Sequence, residues 1–455
     1  MKTRTKVNGN QITEGVIWQQ LLLFFFPILF GTFFQQLYNA ADAMIVGQFV
    51  GKEALSAVGG SSGMLTNMIV GFFVGLSSGA AVIISQHYGA KRPDMVGYAV
   101  HTSVAFSVAA GIVIMVVGIA LTPWMLRAME TPEDVMDQSI LYLRVYFLGI
   151  IANLVYNTGA SILRATGDSR RPLYILIASC LINIVLDAVF VVVFRLGVLG
   201  AALATILSQL LSAVLVTLCL MRTEDMHHLE WKQVRIKPRM LVSIIQVGFP
   251  AGLQSVMYGL SNVVLQVGIN YLGTNSVAAW AAYSKIDSLF WMMLSSFGIA
   301  VTTFTGQNYG ADKPKRVHQG VRTCMYITVA SAAAMAWAIY RWGIYGYQLF
   351  TKDQDVIQIG TAMMHYLMPF YVIYAPIEVL SGSLRGVGDC WVPMWISLVG
   401  VCVLRVAWIA LVFPMRPDMY TVMDSYPLSW GITLALFIGY YLWFSRLRIR
   451  KRVIE

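Results

Sequence analysis

Charge is what this sequence has least of. Asp, Glu, Lys and Arg make up 12% of its 455 residues, about half of the ~25% usual in soluble domains. A soluble protein of this length needs a charged skin, and these residues cannot make one. That excludes an ordinary cytosolic enzyme. A disordered chain is excluded as well, because 58% of the residues are hydrophobic. Cysteine is equally sparse. Cys180, Cys219, Cys324, Cys390 and Cys402 lie far apart and form no CxxC pair, so neither a disulfide framework nor a zinc site is indicated. There is no Asn-x-Ser/Thr acceptor, and nothing points to a glycosylated outer face. The six histidines form no ligand cluster. Nucleotide motifs are missing too. Gly47 to Glu53 (GQFVGKE) has one residue too few between its glycines for a P-loop, and Glu53 stands where Ser or Thr would hold magnesium. No soluble segment is long enough to hydrolyse ATP. The expectation is a non-enzyme with no cofactor, driven by an ion gradient.

What the sequence does have is apolar runs along its whole length, with a mean hydropathy of +0.67. This is not the pattern of a leader peptide on a soluble domain. A helix needs ~20 apolar residues to cross a bilayer. The runs predict twelve spans, roughly over 16–46, 54–86, 95–122, 138–162, 172–194, 197–221, 240–270, 276–306, 317–340, 356–383, 391–414 and 425–445. Turn signals are too sparse for a β-barrel, whose strands would be ~10 residues long. The fold class is an all-α polytopic membrane protein. A net charge of +10 then reads as basic cytoplasmic loops rather than a nucleic-acid partner. Lys and Arg gather in the N-terminal tail (Lys2, Arg4, Lys6), in every second loop and in the C-terminal tail. That bias predicts both termini in the cytoplasm.

The two halves repeat each other. Phe26-Pro27 recurs as Phe249-Pro250, and Asn39 as Asn262. Gln86 to Pro93 (QHYGAKRP) recurs as Gln307 to Pro314 (QNYGADKP), and Leu163 to Asp168 (LRATGD) as Leu384 to Asp389 (LRGVGD). An even number of spans per half makes these parallel repeats, two bundles facing a midplane cavity, which is a transporter plan. The predicted organisation is an N-terminal six-helix lobe over 1–221, a basic cytoplasmic linker over 222–238, and a C-terminal six-helix lobe over 239–455. The linker reads as a solvated loop held at the lipid surface.

Four acids fall inside spans: Asp42, Asp187, Asp287 and Glu378. Each costs ~2.5–3.5 kcal/mol on insertion scales and needs a partner or a water-filled cavity. Gln35, Asn39 and Asp42 follow an i, i+4, i+7 pattern along one side of a helix, and Asn183 and Asp187 make a second such face. Neither face has an intramembrane Lys or Arg in its own half. Two acids without a basic partner are either protonated or hold a cation; carboxylate, amide and hydroxyl oxygens suit H⁺ and a hard ion such as Na⁺ equally well. No other metal site is expected. Gln35, Tyr38 and Asn157 border these faces and are the candidate substrate contacts. In the second half, Lys285 and Asp287 read as members of structural ion pairs. Glu378 lies between Pro369 and Pro376 on a helix that must be irregular, and Arg405 needs an acid such as Glu378 or Asp287.

With the repeat and its motifs assembled, the chain resembles the multidrug and toxic compound extrusion (MATE) family, in its DinF- and MepA-like bacterial branch. The residues that carry the resemblance are Pro27, Gln35, Tyr38, Asn39 and Asp42 in the first span, QHYGA after the second, RATGD after the fourth, Asn183 to Asp187 in the fifth, and Gly197 to Thr205 in the sixth. It covers nearly the whole chain. The resemblance implies that Asp42, Asn183, Asp187 and Thr205 form the cation-coupling site, and that Pro27 is a hinge whose bending follows Asp42. It further implies a bacterial inner membrane location. The expected function is a secondary antiporter, a monomer, exporting small cationic amphipathic compounds in exchange for H⁺ or Na⁺. The competing reading is a lipid-linked precursor flippase of the same superfamily. A pyrophosphate carrier should line its cavity with Arg and Lys, whereas only Lys285 and Arg405 lie in spans here.

Overall fold

The computed structural model describes residues 11–447. The basic tail residues Lys2, Arg4 and Lys6, and Arg448 to Arg452, lie outside the described residues. Among the described residues the chain is helical with no strand.

Eleven helices, or twelve with one bent pair counted as a span, are long and apolar enough to cross a membrane. They are α1 (Ile17–Phe49), α2 (Ser61–Gly89, preceded by the short helix Lys52–Gly59) and α3 (Pro93–Ala128). The pair α4 (Glu133–Leu148) and α5 (Ile150–Ala165) bends by 50° at Gly149. Next come α6 (Arg170–Asp187, continued by a π-helix over Ala188–Val193), α7 (Gly197–Arg222), α8 (Pro238–Tyr271), α9 (Thr274–Gly310) and α10 (Pro314–Phe350). The last spans are α11 (Gln354–Leu367) with α12 (Tyr371–Gly386), then α13 (Trp391–Ser397) joined through a π-helix over Leu398–Val403 to α14 (Leu404–Leu411), and finally α15 (Met419–Leu447). All twelve predicted segments are found. A proline that lacks a backbone N–H sits comfortably at the first position of α3, α8 and α10 and moves each start slightly outward, and α3 and α10 also continue past their expected ends, to Ala128 and Phe350.

The repeat is visible in the backbone. Lys91 and Asp312, which are mates in the QHYGAKRP and QNYGADKP motifs, both adopt positive φ, 54° and 55°. Gly167 and Gly388, mates in the LRATGD and LRGVGD motifs, do the same at 101° and 93°. The same turn therefore ends the same span in each half, and the chain is two pseudo-symmetric six-helix bundles.

Two compact units divide the described chain: Phe26–Gly252 forms the first, and Gln11–Phe25 with everything from Leu253 onward forms the second. Both cuts fall inside helices, beside Pro27 in α1 and Pro250 in α8. The first unit holds the start of α8 through a glycine crossing. Gly75 and Gly79 of α2 meet Gly248 and Gly252 of α8 so closely that a methyl group on any of them would run into the facing backbone. Small residues let helix backbones approach in this way in lipid, where no hydrophobic drive brings helices together. The second unit holds the start of the chain. Phe25 stacks on Phe297 with centroids 3.9 Å apart. Lys313 donates to the Thr13 carbonyl at 3.0 Å, and Arg316 to the Ile12 carbonyl at 3.1 Å.

Candidate cation-coupling site

The two predicted acids come together inside the first unit, whereas Gln35 and Asn39 of the first predicted face are exposed. Asp42 comes from α1, Asn183 and Asp187 from the last turns of α6, and Thr205 from α7; all four are buried, Asp187 and Asn183 completely. Asp187 is the last α-helical residue before the π-helix Ala188–Val193. The wider turn shifts the backbone register just where the carboxylate projects, a common arrangement at functional positions in helices.

Hydrogen bonding at this site is incomplete. Asp42 Oδ1, both carboxylate oxygens of Asp187, and both amide atoms of Asn183 have no hydrogen-bond partner among the described residues. Buried polar groups are nearly always paired, and leaving one bare costs 1–3 kcal/mol or more. No ion pair among the described residues reaches either acid. Asp42 and Asp187 lie within electrostatic reach of each other. The Thr205 hydroxyl donates to the Ala201 carbonyl at 3.0 Å, so its oxygen lone pairs remain available inward. With both acids ionised, acceptors outnumber donors and the local charge is negative. Such a set can hold a proton on one carboxylate, or a small cation among carboxylate, amide and hydroxyl oxygens.

Tyr38 joins this group: its hydroxyl is in hydrogen-bond reach of Thr205, with Asp42 and Asp187 close by. Three residues that the sequence did not single out stand there too. Tyr142 of α4 lies within electrostatic reach of both acids and of Tyr38. Tyr146, one turn on, stacks beside Tyr142 with centroids 6.2 Å apart and neighbours Gln209 of α7. Their only sequence signal is spacing, Tyr142 to Tyr146 and Thr205 to Gln209 each being one helical turn. The other two candidate substrate contacts lie differently. Gln35 is exposed, and Asn157 turns its amide to the carbonyl and side-chain oxygen of Asn153, at 2.9 and 3.0 Å.

In the second half every intramembrane acid has a partner. Asp287 accepts from Trp291 Nε1 at 2.8 Å and from the Tyr371 hydroxyl. This corrects the expected ion pair: Lys285 is exposed and makes no ion pair among the described residues. Two residues apart on a helix, the two side chains point in different directions. Glu378 pairs with Arg385 at 3.1 Å, two helical turns along α12. Arg405 is buried on α14, with its guanidinium 4.1 Å from the Tyr426 ring centroid, a cation–π contact that shields the charge; Asp287 is its electrostatic neighbour.

Comparison with known proteins bears on the family and the fold. The MatE family profile matches residues 27–189 and 250–411, one copy in each half. The probable multidrug resistance protein YoeA of Bacillus subtilis is 27% identical over 96% of both chains. The multidrug export protein MepA of Staphylococcus aureus is 21% identical, covering 93% of this chain and 91% of its own. A MOP superfamily transporter from Pyrococcus furiosus, with a solved structure, superimposes with a TM-score of 0.88 at 23% identity, over 98% of this chain and 99% of its own. That last likeness speaks for the fold alone.

Proposed function

The chain belongs to the MatE family, and from that premise we propose that it is a secondary active antiporter that exports small cationic amphipathic compounds in exchange for H⁺ or Na⁺. The observation that carries this reading is the unpaired acid pair. Two buried carboxylates with open oxygens and no basic neighbour form a site that gains free energy by taking up a cation. They cannot be explained as packing, since a well-packed apolar core of the same shape costs less. The multidrug names of YoeA and MepA support export of drugs. A lipid-linked precursor flippase is not favoured, because an anionic cargo would meet negative charge at this site.

Asp42, Asn183, Asp187 and Thr205 would then hold the coupling ion, with Tyr38 and Tyr142 closing it off from the apolar side. Binding of ion and drug is antagonistic in an exchanger, and linkage makes that antagonism reciprocal. The setting is a bacterial inner membrane with both termini cytoplasmic, as the basic-residue bias requires, and the chain acts as a monomer with no catalytic step of its own. Pro27 and Pro250, beside the cuts between compact units, are the bending points this cycle would use. The deciding experiment is transport of a fluorescent organic cation in everted vesicles under imposed pH or Na⁺ gradients. Movement driven by one gradient, and lost with Asp187→Asn, supports the reading. Movement indifferent to both gradients overturns it.

A further inference from the structure

The linker between α7 and α8 is a fixed part of the first unit. Tyr88 donates to Asp225 at 2.7 Å, the Glu230 N–H to His101 Nε2 at 3.0 Å, and the Lys237 N–H to Thr102 Oγ1 at 3.3 Å. Leu229 is buried and bonds back to the Leu220 carbonyl. These contacts turn Asp225 toward the body of the unit and occupy Glu230 with Gln233. The basic residues are left outward. Lys232, Arg235 and Arg239 are exposed, and none of them forms an ion pair among the described residues. The Lys237 ammonium sits over the Tyr98 ring, 2.7 Å from its centroid. Tyr98, His101, Gln233, Arg235 and Lys237 line a shallow, open recess. We propose that this recess binds the phosphodiester headgroup of an anionic membrane phospholipid.

Position, charge and apolar surface all support it. The recess stands against the first turns of α3, between the last residue of α7 and the first of α8. It therefore sits at the ends of three spans, where the surface of a membrane passes. His101 adds no charge. Its Nε2 accepts from Glu230 and its Nδ1 faces the Gly97 carbonyl, so the ring is the neutral tautomer with its proton on Nδ1. The positive charge comes from Arg235, whose planar fork suits phosphate oxygens, and from Lys237, a point charge beside it. Free phosphate would satisfy these two as well. A lipid explains more: Trp231 and Ile236 flank the basic residues and are 54% and 42% exposed. Large apolar and aromatic side chains at a span's end belong at the headgroup boundary. The inference rests on the membrane location of the chain and not on its drug or ion. The leaflet is the cytoplasmic one if the proposed orientation holds.

The test is lipid retention by the purified full-length chain, measured by native mass spectrometry after titration with phosphatidylglycerol or phosphatidylcholine. Wild type should retain phosphatidylglycerol preferentially. Arg235→Gln with Lys237→Gln should weaken that retention about 30-fold, since each basic residue near anionic lipid contributes about a factor of five. Lys232→Gln with Arg239→Gln removes the same charge from the linker and the first turn of α8, outside the recess, and should weaken it far less. Arg235→Gln alone, at an exposed side chain, keeps the test valid if the double variant does not fold. Equal retention of the two lipids, equal loss in the two double variants, or displacement of phosphatidylglycerol by inorganic phosphate at equal concentration would each overturn the proposal. The last outcome would assign a free-anion site. Failure here leaves the antiport reading untouched, because no residue of the acid pair is involved.

Discussion

Asp42 and Asp187 lie within electrostatic reach of each other, and three of their four carboxylate oxygens have no hydrogen-bond donor among the described residues. Like charges held this way in lipid repel, and the site is satisfied only when a cation or proton arrives. Asp187→Asn keeps the shape but can neither release a proton nor give full charge to an ion. Gradient-driven transport should fall to background while expression and thermal stability hold or rise. Asp42→Asn should act alike, and the double variant should be little worse than either single one, because members of one unit are not additive. A well-expressed Asp187→Asn protein with full active transport would remove the residue from the mechanism.

Tyr38→Phe tests the hydroxyl that reaches Thr205. Losing one hydrogen-bonding oxygen at a buried site costs about 1 kcal/mol, or about fivefold in ion affinity. The half-saturating ion concentration should rise by that factor with little change in the maximal rate. No change at all would place the tyrosine outside the site.

Glu378→Gln and Asp287→Asn should separate stability from coupling. The first leaves Arg385 without its carboxylate and the second weakens what Tyr371 and Trp291 donate to, each at about 1–3 kcal/mol. Thermal stability should drop while gradient-driven transport stays measurable. If Glu378→Gln removed coupling and Asp42→Asn did not, the ion site would belong to the second half.

These contrasts show what a sequence can reveal here. The spans could be read because apolar runs of that length have few alternatives, and the repeat because its turns keep their residues. Asp42 and Asp187 stood out because an acid in an apolar run is costly wherever it faces. Tyr142 and Tyr146 did not stand out. A tyrosine in a span reads equally well as a membrane-interface or packing residue, and only the packing of α4 against α7 brings these two to the acids. Asp287 was expected in an ion pair, but its partners are the Trp291 indole and the Tyr371 hydroxyl, and Tyr371 is far along the chain. The π-helix after Asp187 left no local signal, since it reflects how neighbouring helices take up one extra residue.

Gly248→Val should prevent close approach of α2 and α8. A branched side chain facing backbone cannot be relieved by a rotamer change, so the loss should exceed about 3 kcal/mol and be seen as poor expression. Gly431→Ala, at a glycine with open space around it, is the control and should be nearly neutral.

Orientation can be checked from two exposed positions. Lys232→Cys in the linker and Glu130→Cys between α3 and α4 should label from opposite sides in intact cells, with Glu130 on the outside. Labelling of both from outside would sink the assigned topology.

The glycine crossing and the Phe25–Phe297 stack mean that neither half of this gene product is self-sufficient. Each compact unit is completed by an arm of about fifteen residues encoded in the other half. Cutting the chain in the linker would give two fragments, each with an orphaned arm and an empty berth. Such fragments should accumulate only when produced together, much as two subunits that exchange segments depend on one another.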